Sequence, residues 1–368
     1  MALGDDLGVV LVVGGCGFLG SNIVKLLCLP ERPLATSVHV FSRNPTHNLH
    51  PDATYHAGDI SNYQQVAALF SKIKPNVIIH TASPKYTTPE KILRQTNVDG
   101  TRILLQCAAE SPDVQAFVYT STDSAIVQAP GIKLTEDIAV LHTEKSRTNL
   151  YAKTKAIADF EVCAANKPGT LRTAVIRIAG LYGESDDNCI GTLLEAAKKG
   201  QHKVQIGDSK RHFEFIYVEK ACVAHILAAR GLLQEASTNS DHGTVSGEAF
   251  FISDDVSMPY FDFARKVYAL AGYPVPTEEI QVLPFWLARW IAVVGEWLYW
   301  IFTLNTKTPQ LKKLGVEYLA GGCEWDISKA KKVLGYEPVA DQDAVLKKVV
   351  ESEMERLGLQ KEKAFKEH

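Results

Sequence analysis

Near its start the chain reads VLVVGGCGFLG over Val10–Gly20, and this segment narrows the choice of fold more than any other. Val9–Val13 is an apolar run of strand length, and Ser21–Cys28 carries apolar residues at helical spacing. Between them the glycines meet two related patterns. Gly15, Gly17 and Gly20 satisfy G-x-G-x-x-G; Gly14, Gly17 and Gly20 satisfy G-x-x-G-x-x-G. Such a strand–turn–helix needs a tight turn, close approach of backbone to an anion, and close packing of helix on strand. The helix start adds free N–H groups and the positive end of its dipole. Gly14, Gly17, Phe18, Leu19 and Gly20 are therefore candidate contacts of a dinucleotide pyrophosphate.

The same rhythm continues. Val38–Phe41, Val77–His80, Ala116–Thr120 and Thr173–Ile178 read as strands; Gln64–Ile73, Asn97–Ala109 and Tyr151–Ala165 read as helices. Alternation of this kind implies crossovers and a parallel sheet covered on both faces. After Gly180 the rhythm breaks. The expected fold is α/β: a doubly wound, parallel-sheet Rossmann domain with a smaller, mostly helical C-terminal substrate lobe. The first domain is expected over 1–178, with 216–253 returning to it, Phe215–Arg230 and Ala249–Ser253 being read as joining the sheet. The lobe is expected over 179–215 and 254–345, and a charged tail over 346–368, read from about Glu351 as a helix or a frayed end.

Strand ends then suggest where a cofactor lies. An acidic residue ending the second strand would bond a ribose 2′-hydroxyl and repel a 2′-phosphate. This strand ends in Ser42-Arg43 instead, and a hydroxyl plus a guanidinium suits a phosphate. NADP is thus favoured over NAD. Asp59, with Ile60, follows a short strand and Gly58, a place to meet an adenine; Thr81 and Ala82 follow Val77–His80, and Ile178 closes a later strand.

Tyr151 and Lys155 stand at i and i+4 on one helix face. A phenol titrates near 10, too high for a base at neutral pH, and a nearby ammonium would lower it. Upstream, Thr122 ends a strand with a hydroxyl that can orient a reacting oxygen, and Asn97 is placed to support a proton relay to Lys155 through water.

A net charge of −3 without a basic cluster gives no reason to expect nucleic acid as a partner. The seven cysteines form no metal-spaced set, so no metal is expected, and the start of the chain shows no signal-peptide pattern. The segment LPFWLARWIAVVGEWLYWIFTL, residues 283–304, holds four of the five tryptophans. It could span a bilayer in length, but Arg289 and Glu296 lie inside it on nearly one face. Two readings stay open: a helix at a membrane surface, or a buried helix lining an apolar pocket.

Taken together, the pieces VVGGCGFLGSNIV, NVIIHTASP, TNVDGTRILLQCA, FVYTSTDSAIV, YAKTKAIAD, VIRIAGLYG, HFEFIYVEKACVAHILAA, GEAFFISDD and DISKAKKVLGYEP resemble the extended short-chain dehydrogenases. Within these the chain looks most like the 3β-hydroxysteroid dehydrogenase branch, especially its decarboxylating sterol-4α-carboxylate 3-dehydrogenases. The resemblance covers nearly all of the chain to about residue 345. It implies an oxidoreductase using NAD or NADP on a secondary alcohol or ketone of a sterol, steroid or terpenoid-like molecule. Tyr151 would be the general base, Lys155 its partner, and Thr122 the hydroxyl usually supplied by serine. The sequence departs from the family pattern at Thr122-Asp123, at Ser42 and at Ile178, which stands where the resemblance implies a proline beside the nicotinamide. An apolar substrate, a homodimer and a peripheral place on the cytoplasmic side of the endoplasmic reticulum go with this expectation. A nucleotide-sugar epimerase or dehydratase, and a non-catalytic cofactor-binding sensor, are the rival readings.

Overall fold

The computed structural model describes residues 6–186, 188–238, 245–303 and 311–359. Seven strands make one sheet: β1 (Val9–Val13), β2 (Ser37–Ser42), β3 (Ala53–Ala57), β4 (Val77–His80), β5 (Ala116–Thr122), β6 (Arg172–Ile178) and β7 (Glu248–Ile252). Their order is β3-β2-β1-β4-β5-β6-β7, and every neighbouring pair is parallel. The winding direction reverses between β1 and β4. In open sheets of this kind a crevice forms at that point, outside the carboxyl ends of the strands.

Helices α1 (Phe18–Leu27), α2 (Tyr63–Ile73), α3 (Thr101–Glu110) and α4 (Leu150–Ala164) supply the crossovers. After α5 (Ile190–Lys198), helix α6 (Val218–Thr238) comes back to the sheet. The alternation of β1 divides the core. Val10 and Val12 pack with Ile23 and Val24 of α1 and with Ala224 and Ala228 of α6. Leu11 and Val13 face the other way, into Val66 of α2, Leu104 of α3 and Val162 of α4. A strand buried on both faces is apolar throughout, which is why its run shows no alternation in sequence.

The lobe holds α5, α7 (Tyr260–Leu270), α8 (Phe285–Thr303), α9 (Lys313–Gly321) and α10 (Gln342–Arg356). Two sequence expectations need correction. Phe215 lies on a strand, His212–Tyr217, that pairs with Gly180–Tyr182 and Ser257–Pro259 in a separate three-stranded sheet. The large sheet already ends at β7, whose outer edge is covered: the Glu136 carboxylate accepts from Phe251 N–H at 2.7 Å, and Lys329 donates to the Ala249 carbonyl at 3.0 Å. The stretch expected as a charged tail begins inside α10. Leu346, Val349, Val350 and Met354 form its buried face, while residues 360–368 lie outside the described residues.

In α8 the small residues Ala288 and Ala292 are turned inward against Val316 of α9, with Phe285 partly buried beside them. Three tryptophans face out: Trp286 is 72 % exposed, Trp290 62 % and Trp297 64 %. The reading of this segment as a buried helix lining a pocket therefore fails. Its two charges serve α9: Arg289 pairs with Glu317 at 3.5 Å, and Glu296 accepts from Lys313 N–H at 3.0 Å.

Candidate active site

The glycine turn sits at the crevice. Gly14 has φ +86°, and a Cβ there would stand 2.7 Å from the Ala82 backbone. A Cβ on Gly20 would stand 2.4 Å from the Gly14 carbonyl. Thr81 locks this contact, donating from both its N–H and its Oγ1 to the Val13 carbonyl at 2.9 and 3.0 Å. Gly17 differs, since a Cβ there would meet only the Gly14 carbonyl, at 3.3 Å. It is also the N-cap of α1 and offers no capping side chain, so no side chain competes for the first-turn N–H groups of Phe18, Leu19 and Gly20. This cradle fits a pyrophosphate.

At the end of β2, Ser42 is half-buried and Arg43 is exposed. Asp59 turns its carboxylate to Ser61, accepting from that residue's N–H at 2.9 Å and hydroxyl at 2.8 Å. Ile60 is buried beside Gly100.

Thr122 and Ile178 are register partners at the carboxyl ends of β5 and β6. Opposite them α4 begins. Asn149 caps it, accepting from Ala152 N–H at 2.8 Å, so Tyr151 lies in the first turn and Lys155 one turn on. Asn97 lies in a π-helical turn, Gln95–Gly100, that leads into α3. It donates to Thr154 Oγ1 at 3.0 Å and accepts from the Ser83 hydroxyl at 3.0 Å. Thr154 in turn donates to the Tyr151 carbonyl at 3.0 Å. Asn97 is thus joined to the backbone of Tyr151 through Thr154, and no direct bond takes it to Lys155.

Lys155 is buried and donates to the Thr120 carbonyl at 2.5 Å. His225 Nδ1 faces the Ala221 carbonyl at 2.7 Å, and a carbonyl only accepts. The ring, whose burial pushes its pKa down to about 4, therefore carries its proton on Nδ1, and Nε2 accepts from the Thr120 hydroxyl at 2.7 Å. Behind Lys155, Asp159 forms a buried two-point ion pair with Arg177 at 2.8 and 2.9 Å.

The electrostatics correct one expectation. Burial and then the Asp123 carboxylate push the Tyr151 phenol up to about 12; the Ser83 and Thr122 hydroxyls oppose this. The phenol is not lowered by Lys155, whose ammonium is aimed at Thr120. Burial lowers Lys155 itself to about 7, against the pull of Asp159. Asp123 and Ser83 were not among the expected site residues. Asp123 was visible only as a departure from the family pattern, and Ser83 only as part of NVIIHTASP.

The model of the 3-beta hydroxysteroid dehydrogenase/isomerase family matches residues 11–284. The chain belongs to that family. As a member it is a nicotinamide-dependent oxidoreductase. It is 41% identical over 297 residues to the decarboxylating sterol-4-alpha-carboxylate 3-dehydrogenase of Gibberella zeae, covering 79% of this chain and 95% of that one. It is 33% identical over 347 residues to the 3 beta-hydroxysteroid dehydrogenase/Delta 5-->4-isomerase of Mycobacterium tuberculosis (strain CDC 1551 / Oshkosh), covering 92% and 88%. Among solved structures it is similar in fold to the dTDP-glucose 4,6-dehydratase DesIV of Streptomyces venezuelae with NAD and TYD bound, at TM-score 0.70, 21% identity and coverage of 95% and 98%. At that identity the likeness is one of fold. The family match and the 41% relative are dehydrogenases, which leaves the sugar-nucleotide reading without support.

Proposed function

We propose that this chain oxidises a secondary alcohol on a sterol or related polycyclic ring, with Tyr151 as the general base. The observation that carries the reading is the packing of the helix start that bears Tyr151 against the end of β5 that bears Thr122, beside an uncapped glycine turn. Tyr151 takes the hydroxyl proton, Thr122 orients the oxygen, and Lys155, with donors to spare beyond its bond to the Thr120 carbonyl, holds the ribose hydroxyls of the nicotinamide. The bound nicotinamide supplies a hydride acceptor. Where the substrate carries a carboxylate β to the new ketone, the ketone withdraws electrons and carbon dioxide leaves with little further help. The name of the Gibberella zeae relative supports that second step.

Ser42 and Arg43, with no acidic residue beside them, support NADP over NAD. The exposed stripe Trp286, Trp290, Val293 and Trp297 runs at helical spacing along α8 and supports contact with a lipid surface. None of the described helices is long and apolar enough to cross a membrane, so the contact is peripheral. A cytoplasm-facing membrane such as the endoplasmic reticulum would hold the apolar substrate.

The test is cofactor reduction with a sterol 4-carboxylic acid, a plain 3β-hydroxysteroid and a cyclic terpenoid alcohol, each with NAD and with NADP. Reduction with at least one ring alcohol, faster with NADP, is expected. Turnover of a UDP-sugar with none of the ring alcohols would contradict the assignment.

A further inference from the structure

The neighbouring strands β2 and β3 are parallel, so the chain must travel back along the sheet between them. Such crossovers are usually made by a helix. Here residues 43–52 make it as a strap with no helix. A strap of this kind has no ladder of its own. Within it, among the described residues, one backbone–backbone bond runs from Thr46 N–H to the Asn44 carbonyl at 3.0 Å. Two bonds tie it down: Asn48 Nδ2 donates to the Cys16 carbonyl at 3.0 Å, and His50 N–H donates to the Tyr55 hydroxyl at 2.7 Å.

Cys16 belongs to the glycine turn, between Gly15 and Gly17. The Asn48 bond therefore closes an arc, residues 43–48, from the end of β2 to that turn. Asn48 has φ 53°, a left-handed setting that asparagine tolerates better than most residues. Arg43, Asn44, Thr46 and His47 are exposed along the arc. A dinucleotide on such a turn sets its pyrophosphate at the helix start and its adenosine ribose towards the end of the second strand. The arc spans those same two points.

We propose that Asn48 is a positioning residue for the cofactor: its bond to the Cys16 carbonyl holds the strap against the glycine turn as the rim of the adenosine half-site, and so sets where Arg43 stands. Without that bond the strap has to be ordered at each binding event, and the cost falls on affinity. The nicotinamide half, at Tyr151 and Lys155, is at the other end of the cofactor and keeps its contacts. This inference rests on the reading of the glycine turn as a pyrophosphate cradle.

The alternative is a turn residue whose side-chain bond is incidental, and two variants of the full chain separate the readings. Asn48→Gly takes the left-handed backbone with ease but has no donor. Asn48→Asp also suits the turn, and its carboxylate cannot donate to a carbonyl. Steady-state kinetics with NAD and with NADP are combined with calorimetric titration of ADP-ribose. In both variants KM for either cofactor and Kd for ADP-ribose should rise about fivefold or more, while kcat at saturating cofactor stays within about twofold. Because Asn48 is exposed, the melting temperature should stay within about 3 °C. Wild-type KM and Kd in a folded Asn48→Gly overturn the proposal, and so does a loss confined to kcat. If the glycine variant does not fold, Asn48→Asp decides by the same readouts. Variants that bind nucleotide as wild type does remove this inference and keep the cradle. A wild-type chain that binds none of the three nucleotides removes the cradle and this inference together.

Discussion

Lys155 donates to the Thr120 carbonyl at 2.5 Å and lies 4.3 Å from the centroid of the Tyr119 ring. Thr120 is held in turn by His225, so the lysine is fixed from behind by β5 and α6. One carbonyl and a ring face suit the compact, three-donor ammonium of lysine and leave no place for a planar guanidinium. Lys155→Met should lower kcat/KM by about 10²–10⁴-fold, and Lys155→Arg should not restore it. Steady-state kinetics on variants of unchanged melting temperature check this. Activity of Lys155→Arg near wild type would contradict it.

The raised phenol at Tyr151 gives the two directions of reaction opposite pH behaviour. The base form is the minor one below about 12, and it grows as pH rises. Alcohol oxidation should therefore accelerate from neutral to alkaline pH. Ketone reduction uses the protonated phenol, already the dominant form at neutral pH, and should stay level over the same range. Profiles of kcat/KM in both directions test the sign. An oxidation rate that falls between pH 7 and 9 would contradict it.

Arg43 is exposed at the end of β2, and the proposed preference for NADP rests on it. Arg43→Leu should raise KM for NADP about tenfold or more and leave KM for NAD within about threefold. Ser42→Asp should reverse the choice, through a bond to the ribose hydroxyl and repulsion of a phosphate. Paired KM values for the two cofactors decide the matter.

Much of the fold was legible because apolar runs and glycines are local signals. Val77–His80 was read to the residue, and the α1 and α4 regions to within a few residues, since burial on one or both faces writes itself into the sequence. The destination of Phe215 was not legible, because pairing partners depend on which edge is already covered, and Glu136 and Lys329 cover β7 from far along the chain. Within the site, Tyr151 and Lys155 share a helix face as their spacing requires. Their lack of mutual contact was hidden, for it turns on a carbonyl of β5 and a histidine of α6. Tyr318 was invisible for the same reason: GVEYLAGG carries no local mark of an Asp123 contact.

The exposed face of α8 can be tested without touching the chemistry. Changing Trp286, Trp290 and Trp297 together to glutamine should leave helix content and turnover of a soluble steroid unchanged, because none of the three is in the inward Ala288–Ala292 seam. Recovery with sedimented phospholipid vesicles should fall about tenfold or more. Equal recovery of wild type and variant would remove the lipid contact.

The central claim is that Tyr151 moves the proton. Its most direct test is the rate of cofactor reduction by Tyr151→Phe with a ring alcohol that wild type oxidises, alongside the affinity of each protein for the cofactor. A loss of about 10³-fold or more in rate, with cofactor affinity unchanged, is the expected result. A variant that binds cofactor normally and turns over within tenfold of wild type would contradict the claim.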